Sequence, residues 1–140
     1  MKARTWTVAA ALALLCLAAP ASAQLAPAIQ YAWSLNLDAF NREDAVAAMA
    51  AVDSRSPDYA ATKQALEGQF KNLDLKAELV KFDFMGHDDE FAVARVKTKT
   101  TGKPGSGFTD NVVDAIVLFH QENGTWKLWS EDVLAVEIAL

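Results

Sequence analysis

The sequence predicts an α+β protein in which three helices precede an antiparallel sheet of four strands. Between residues 27 and 73 the apolar side chains recur at helical spacing, whereas from residue 75 onward apolar and polar residues alternate in runs bounded by turn signals. The dipeptide Asn123-Gly124 separates the last two runs and accepts the positive φ angles of a tight hairpin. Because no low-complexity linker divides the helical half from the strand half, we expect one domain.

The N-terminal residues have the features of a signal peptide. Lys2 and Arg4 precede an apolar run at residues 8–19, and Ala21-Ser22-Ala23 is the small-x-small pattern that signal peptidase recognises. The apolar run is too short to span a bilayer comfortably. We therefore expect a signal peptide at 1–23, a domain at 24–140, and export to the periplasm or the exterior of a bacterium.

Cys16 is the only cysteine and lies within this leader. It raises a lipoprotein alternative, which Leu15 disfavours because a small residue usually precedes a lipidated cysteine. Cleavage after Ala23 leaves 117 of the 140 residues and no thiol. Disulfides, cysteine catalysis and thiolate metal ligands are thereby excluded, and the domain must be stabilised by its apolar core.

The charge balance disfavours two classes of partner. Without Lys2 and Arg4, 11 of the 13 basic residues remain against 18 acidic ones, a formal net charge of −7. Nucleic acids and anionic membrane surfaces are therefore poor partners. His87 and His120 are far apart in the sequence and lack a spaced acidic ligand, so we expect neither a metal nor another cofactor.

Three helices are predicted before residue 75. The first runs from Pro27 to Phe40, and the second, shorter one runs from Asp44 to about Ala51, where alanine favours helix. The third begins with Ser56 as N-cap and proline at the first helical position, and it continues to about Asn72.

Four strands account for the rest of the chain. They are predicted at Leu75 to Met85, Phe91 to Thr101, Asp110 to Gln121, and Thr125 to about Val136. Residues 86–89 form a short hairpin loop, and residues 102–107, rich in glycine, form a longer one.

The Asn-Gly turn also predicts the register of the last hairpin. If Glu122 faces Thr125, the pairs are Phe119 with Leu128 and Gln121 with Trp126 on one face, and Leu118 with Trp129 and His120 with Lys127 on the other. Both faces are then apolar near the middle, so both need a cover. Helices can cover one face, and a partner subunit, a ligand or residues 133–140 must cover the other.

The first hairpin is predicted in the same way. If Met85 faces Glu90, Phe82 and Phe84 stack against Phe91 and Val93, and the four side chains belong to the core.

The order of these segments resembles the nuclear transport factor 2-like superfamily, which includes SnoaL-like cyclases and ketosteroid isomerases. The resemblance covers residues 29–132. Its most specific parts are the ending "GTWKL" at residues 124–128, similar to the family's G-x-W-K-I, and "NRED" at residues 41–44, similar to its N-x-x-D helix junction. The resemblance implies a cone-shaped fold in which helices and a curved sheet enclose a pocket. Members commonly have a short hairpin between the second and third helices, which residues 50–59 are too few to form.

The resemblance does not fix an activity, because its members place their acids and bases differently. Enzymes of this type need a base and a hydrogen-bond donor in the pocket. The available side chains are Tyr31, Asp38, Tyr59, Asp114, His120 and Glu131.

Asp114 and Tyr31 are the leading catalytic candidates. Asp114 interrupts an apolar strand and must find a partner or shift its pKa. Arg95 could be that partner, which would make the pair structural. The candidate ligand-binding residues are Trp33, Tyr59, Arg95 and Trp126, and the candidate dimer interface includes Leu118 and Trp129.

The sequence is compatible with three functions. The first is an exported domain that binds a small apolar molecule or supports assembly, without catalysis. The second is an isomerase, dehydratase or cyclase that uses a pocket carboxylate and a tyrosine. The third is a structural or regulatory homodimer of the cell envelope.

Overall fold

A computed structural model gives the structure of residues 21–139. The predicted signal peptide lies almost wholly outside the described residues and stays a prediction. The chain forms three helices followed by four strands, as expected for an α+β fold. None of the described helices is long and apolar enough to cross a membrane.

The helices are α1 (Ala21–Asn41), α2 (Ala45–Ala50) and α3 (Tyr59–Asn72). The carboxylate of Asp44 caps α2 by accepting a hydrogen bond of 2.9 Å from the backbone N–H of Ala47. The prediction of Ser56 as N-cap of the third helix is wrong, because α3 begins at Tyr59 with Asp58 at the N-cap position. The Ser56 hydroxyl accepts a hydrogen bond from the N–H of Asp58 at 3.1 Å and donates to the carbonyl of Trp129 at 2.5 Å, which ties the loop before α3 to the sheet.

The strands form an antiparallel meander in the order β1-β2-β3-β4. They are β1 (Leu75–His87), β2 (Phe91–Gly102), β3 (Asn111–Glu122) and β4 (Thr125–Ile138). Residues 51–58 replace the hairpin that is common between the second and third helices. Val52 forms an isolated parallel bridge with Leu128, so this loop lies along the start of the edge strand β4.

The predicted register of the last hairpin is confirmed for four of its five pairs. Leu118 is the exception, because it pairs with Ser130 rather than with Trp129. An irregularity between Leu118 and Phe119 inserts Trp129 as an extra residue in β4.

The predicted register of the first hairpin is wrong. Phe84 pairs with Ala94 and Phe82 with Val96, because β1 continues to His87 and contains two irregularities. Phe82 and Phe84 pack against the core as expected. Phe91 and Val93 instead lie on the opposite face of β2.

The concave face of the sheet and the helices enclose the core. The larger cluster of buried residues consists of Ile29, Ala32 and Trp33 from α1 with Ala92, Ala94, Val96, Val117 and Phe119 from β2 and β3. A second cluster joins the end of α1 to α2 and α3 through Ala39, Ala48, Met49, Val52 and Leu66. The helices therefore cover one face of the sheet.

The convex face carries Val93, Ile116, Leu118 and Trp129, each half-buried. Residues 133–138 cannot fold over this face, because they continue β4 as an edge strand. The prediction that residues 133–140 could cover the convex face is therefore wrong for residues 133–138. Cover by a partner subunit or by a ligand stays a prediction.

Candidate functional site

A cavity of about 270 Å³ lies between α1 and the concave face, and we call it the cone cavity. Its wall is formed by Trp33, Asn36, Leu37, Phe40, Gln69, Leu75, Ala77, Thr98, Thr100, Phe108, Asn111, Val113 and Glu131. α1, α3 and the sheet all contribute residues to this wall, so the site exists only once these elements have packed together.

Three polar atoms in this wall are buried and have no hydrogen-bond partner among the described residues. They are Nε1 of Trp33, Oγ1 of Thr98 and Oδ1 of Asn111. Buried polar groups in folded proteins are nearly always paired, and an unpaired one costs about 1–3 kcal/mol. The residues that carry these three atoms all border one cavity.

The sequence places these atoms on the concave face through strand alternation and helix spacing. Thr98 pairs with Val113 across β2 and β3, and Asn111 begins β3 two residues earlier on the same face. The Asn111 side-chain nitrogen donates to the carbonyl of Thr109 at 3.3 Å, whereas its buried oxygen has no partner among the described residues. Trp33 is 4% exposed and lies on the buried side of α1.

Glu131 is the ionisable residue of the wall. It faces Val117 across the last hairpin and therefore lies on the concave face. The residue is exposed because β4 is an edge strand, and it forms part of the cavity rim. Desolvation raises the pKa of this carboxyl, and no hydrogen bond or charge from the described residues offsets that effect.

A second depression continues the cone cavity toward solvent. It measures about 710 Å³ and lies between α3 and β4, and we call it the α3–β4 groove. Val113 and Glu131 line both spaces. Small side chains of α3, including Ala61 and Ala65, form its other wall and leave a path from solvent to Glu131.

The predicted catalytic pair does not come together. Asp114 lies on the convex face, where Arg95 donates two hydrogen bonds to it at 2.8 and 2.7 Å. These bonds hold the pKa of Asp114 below its ordinary value against the opposing effect of burial. Tyr31 lies on α1, which packs against the concave side, and is 64% exposed. The structure thus supports the ion pair of Asp114 with Arg95 and not a site that combines Asp114 with Tyr31.

One of the four predicted ligand-binding residues lines the cone cavity. That residue is Trp33. Tyr59 lies in a separate depression between α2 and α3, and Trp126 packs against the larger core cluster. Arg95 belongs to the convex face, so these three residues do not border the cavity.

The predicted interface residues Leu118 and Trp129 lie on the convex face. The ring of Trp129 contacts the imidazole of His120 with centroids 4.9 Å apart, and the ring of Phe91 contacts both, at 4.7 Å from His120 and 5.6 Å from Trp129. Among the described residues, no group of three or more histidine, cysteine, aspartate or glutamate side chains has an arrangement that could hold a metal ion.

Sequence patterns singled out Trp33 and included Glu131 among six candidates, but they missed Thr98, Asn111 and Phe108. Strand alternation is the one signal that could have found Thr98, because it places this hydroxyl on the same face as the buried Ala94 and Val96. Phe108 lies in the loop before β3, where alternation gives no guidance, and Asn111 is the first residue of β3, beyond the start of the apolar run that the alternation marks.

A comparison with family models decides the assignment. The model described as the C-terminal domain of the anti-sigma-I factor RsgI9 matches residues 32–139, which includes every residue of the cavity wall. The chain belongs to this family. A comparison of this chain with curated proteins gives no match.

Solved structures show the fold of the RsgI9-type domain independently. A proposed scytalone dehydratase from Novosphingobium aromaticivorans is 11% identical, with a TM-score of 0.67 over 85% of this chain and 87% of the other. A proposed dehydratase of the nuclear transport factor 2-like family from Streptomyces avermitilis is 15% identical, with a TM-score of 0.65 over 79% and 94% of the two chains.

A ketosteroid isomerase-like protein from Erwinia carotovora atroseptica is 18% identical, with a TM-score of 0.58 over 79% of this chain and 96% of the other. The RsgI9-type domain thus has the nuclear transport factor 2-like fold. Identities this low carry no activity from these proteins to this one.

Proposed function

We propose that this protein is an exported domain that binds a small molecule in the cone cavity. The observation that carries the proposal is that Trp33, Thr98 and Asn111, which border one space, each hold a buried polar atom without a partner among the described residues. If each costs about 1–3 kcal/mol, together they offset a large share of the 5–15 kcal/mol that stabilises a typical domain. A ligand that pairs with them recovers this free energy.

The proposal is supported by the family's description. An anti-sigma factor is a regulatory protein, and a binding domain at its C-terminus has an evident use in sensing. The apolar walls from Phe40 and Phe108 would give the ligand affinity, and the polar atoms would orient it.

Native mass spectrometry of protein purified from its own cell envelope tests the proposal. We expect the wild type to retain a small molecule and Trp33→Phe to retain less, because this change removes the indole N–H but keeps an aromatic wall. Trp126→Phe is the matched control, since Trp126 lies outside the cavity. The proposal fails if the wild type retains nothing and binds no member of a fragment library by NMR.

Export is part of the same proposal and is supported by the leader at residues 1–23. N-terminal sequencing of the protein from the periplasm should begin at Gln24. A chain that still begins at Met1 would contradict export with cleavage.

Catalysis is the second candidate function, and Glu131 favours it. A carboxyl whose pKa is raised by desolvation, in a cavity open to solvent through a groove, can act as a general base. In isomerisation of a β,γ-unsaturated ketone it would take a proton from the carbon between carbonyl and double bond and return it to the far alkene carbon. Conversion of cyclohex-3-enone to cyclohex-2-enone by the wild type, but not by Glu131→Gln, would support this function.

A homodimer through the convex face is compatible with either function. Its support is the half-buried apolar surface around Leu118 and Trp129. Analytical ultracentrifugation should show a dimer at micromolar concentration that Leu118→Lys dissociates. A wild type that sediments as a monomer would contradict it.

A further inference from the structure

We propose that the ligand of the cone cavity is a small organic ammonium ion that also carries a hydroxyl or carbonyl oxygen. This inference rests on the proposed binding function and names the chemical class of its ligand. Three features of the cavity support it: the charge of its wall, the balance of hydrogen-bond acceptors and donors, and the aromatic side chains.

The charge of the wall excludes anions. Among the described residues that border the cavity there is no lysine, arginine or histidine, and Glu131 is the ionisable one. A carboxylate ligand would therefore meet no compensating charge in a partly desolvated space and would be repelled by Glu131. A neutral or cationic ligand remains.

The balance of polar atoms favours the cation. Oδ1 of Asn111 accepts hydrogen bonds only, Oγ1 of Thr98 can accept one, and Glu131 accepts when ionised. An ammonium group has three donors and no acceptor, so its polarity is complementary to these oxygens. A hydroxyl group has one donor and could pair with one of them.

One atom of the wall requires the opposite polarity. The indole nitrogen Nε1 of Trp33 is a donor without a partner among the described residues. The ligand must therefore present an oxygen to Trp33 in addition to its ammonium group. An amino alcohol or an amino ketone meets both requirements.

The aromatic side chains favour the same class. Trp33, Phe40 and Phe108 all border the cavity. Aromatic faces attract cations, and most strongly when the cation is desolvated. These walls would also pack against the carbon skeleton of the ligand.

Three probes of one shape separate the alternatives. Phenylethanolamine, phenylethanediol and mandelate share a phenyl ring and a hydroxyl group, and they differ in a third group that is cationic, neutral or anionic. We expect calorimetry near pH 7 to give phenylethanolamine a Kd at least roughly tenfold lower than that of the diol, with mandelate weakest. Equal or tighter binding of the diol or mandelate would overturn the inference.

Glu131→Gln supplies the second arm of the test. The substitution keeps the shape of the side chain and should weaken phenylethanolamine by roughly tenfold while the diol changes by less than about twofold. Glu137→Gln is the matched control, because Glu137 lies on the same strand but faces Lys97 on the convex side at 3.7 Å. Unchanged preference in Glu131→Gln would overturn the inference.

The outcomes also distinguish failure of the ammonium assignment from failure of the proposed binding function. A neutral or anionic molecule retained in the cavity by the native protein would overturn the ammonium assignment and leave the binding function standing. A protein that retains nothing, and binds neither the probes nor a fragment library, would overturn both.

Discussion

Asp53 and His120, which are 67 positions apart in the sequence, are joined by a hydrogen bond of 2.7 Å. Asp53 is fully buried, and its carboxylate can only accept hydrogen bonds when ionised, so Nδ1 of His120 is the donor in this contact. Arg55 adds two contacts of 3.2 Å to the same carboxylate and donates to the carbonyl of Gln121 at 3.1 Å. This network holds the loop between α2 and α3 against the last hairpin.

Asp53→Asn should therefore lower the free energy of unfolding by about 1–3 kcal/mol, because charge-assisted hydrogen bonds to two side chains are lost. Urea denaturation measures the change. Asp89→Asn, in the exposed loop between β1 and β2, is the matched control and should stay within about 0.5 kcal/mol of the wild type. Equal effects of the two substitutions would show that the network does not stabilise the fold.

The same carboxylate predicts a dependence on pH. Burial by itself would raise the pKa of Asp53, but hydrogen bonds from Arg55 and His120 outweigh it and lower the pKa from 3.8 to about 2. Since the folded pKa is the lower one, the stabilisation is present above pH 3.8 and is lost as the pH falls toward 2. The difference in unfolding free energy between wild type and Asp53→Asn should shrink through that window. A difference that stays constant would contradict it.

Removal of the negative charge should affect stability at Asp114 and ligand affinity at Glu131. Asp114→Asn breaks the paired hydrogen bonds with Arg95 and should lower the free energy of unfolding by about 1–3 kcal/mol. It should leave the affinity for phenylethanolamine within about twofold, because Asp114 lies on the other face of the sheet. Glu131→Gln should reduce that affinity and leave stability nearly unchanged. Parallel calorimetry and denaturation check the contrast, which fails if Asp114→Asn weakens binding as much as Glu131→Gln does.

Local turn chemistry decided how much of the fold could be predicted from the sequence. The turn at Asn123-Gly124 depends only on local backbone geometry, so the pairing of Phe119 with Leu128 was predicted correctly from it. The first hairpin has no such dipeptide. The carboxylate of Asp88 accepts hydrogen bonds from the N–H groups of Glu90 and Phe91 at 2.8 and 2.7 Å, which moves the turn away from Gly86.

The site could be predicted less well than the fold, because its polar atoms come from separate elements. Trp33 was found because an aromatic residue at helical spacing must face the core or a cavity. Whether Thr98 and Asn111 meet hydrogen-bond partners depends on distances across the sheet, which residue patterns do not contain. Asp114 was conspicuous in the sequence for interrupting an apolar strand, but its partner Arg95 satisfies it.

Two glycine-to-alanine substitutions should change stability in opposite directions. Gly124 has a φ of +79°, so alanine there should lower the free energy of unfolding by about 1–2 kcal/mol. Gly68 lies within α3, where alanine should raise it by about 0.5–1 kcal/mol. An added Cβ meets no atom within 4 Å at either position, so the comparison isolates the backbone. Thermal denaturation of both variants is sufficient, and effects of the same sign would contradict the assigned backbone conformations.

Thr98→Val should stabilise the ligand-free protein and weaken its binding of phenylethanolamine. The Thr98 hydroxyl is buried without a partner, so replacing it with a methyl group removes a desolvation cost of about 1 kcal/mol at little change in shape. The bound ligand loses one acceptor by the same change. Thr100→Val, two residues along the same face of β2, is the control for strand propensity, because its hydroxyl is not among the buried unpaired atoms. If Thr98→Val instead lowers the free energy of unfolding relative to that control, ordered water already satisfies the hydroxyl, and the unpaired atoms cannot be evidence for a ligand.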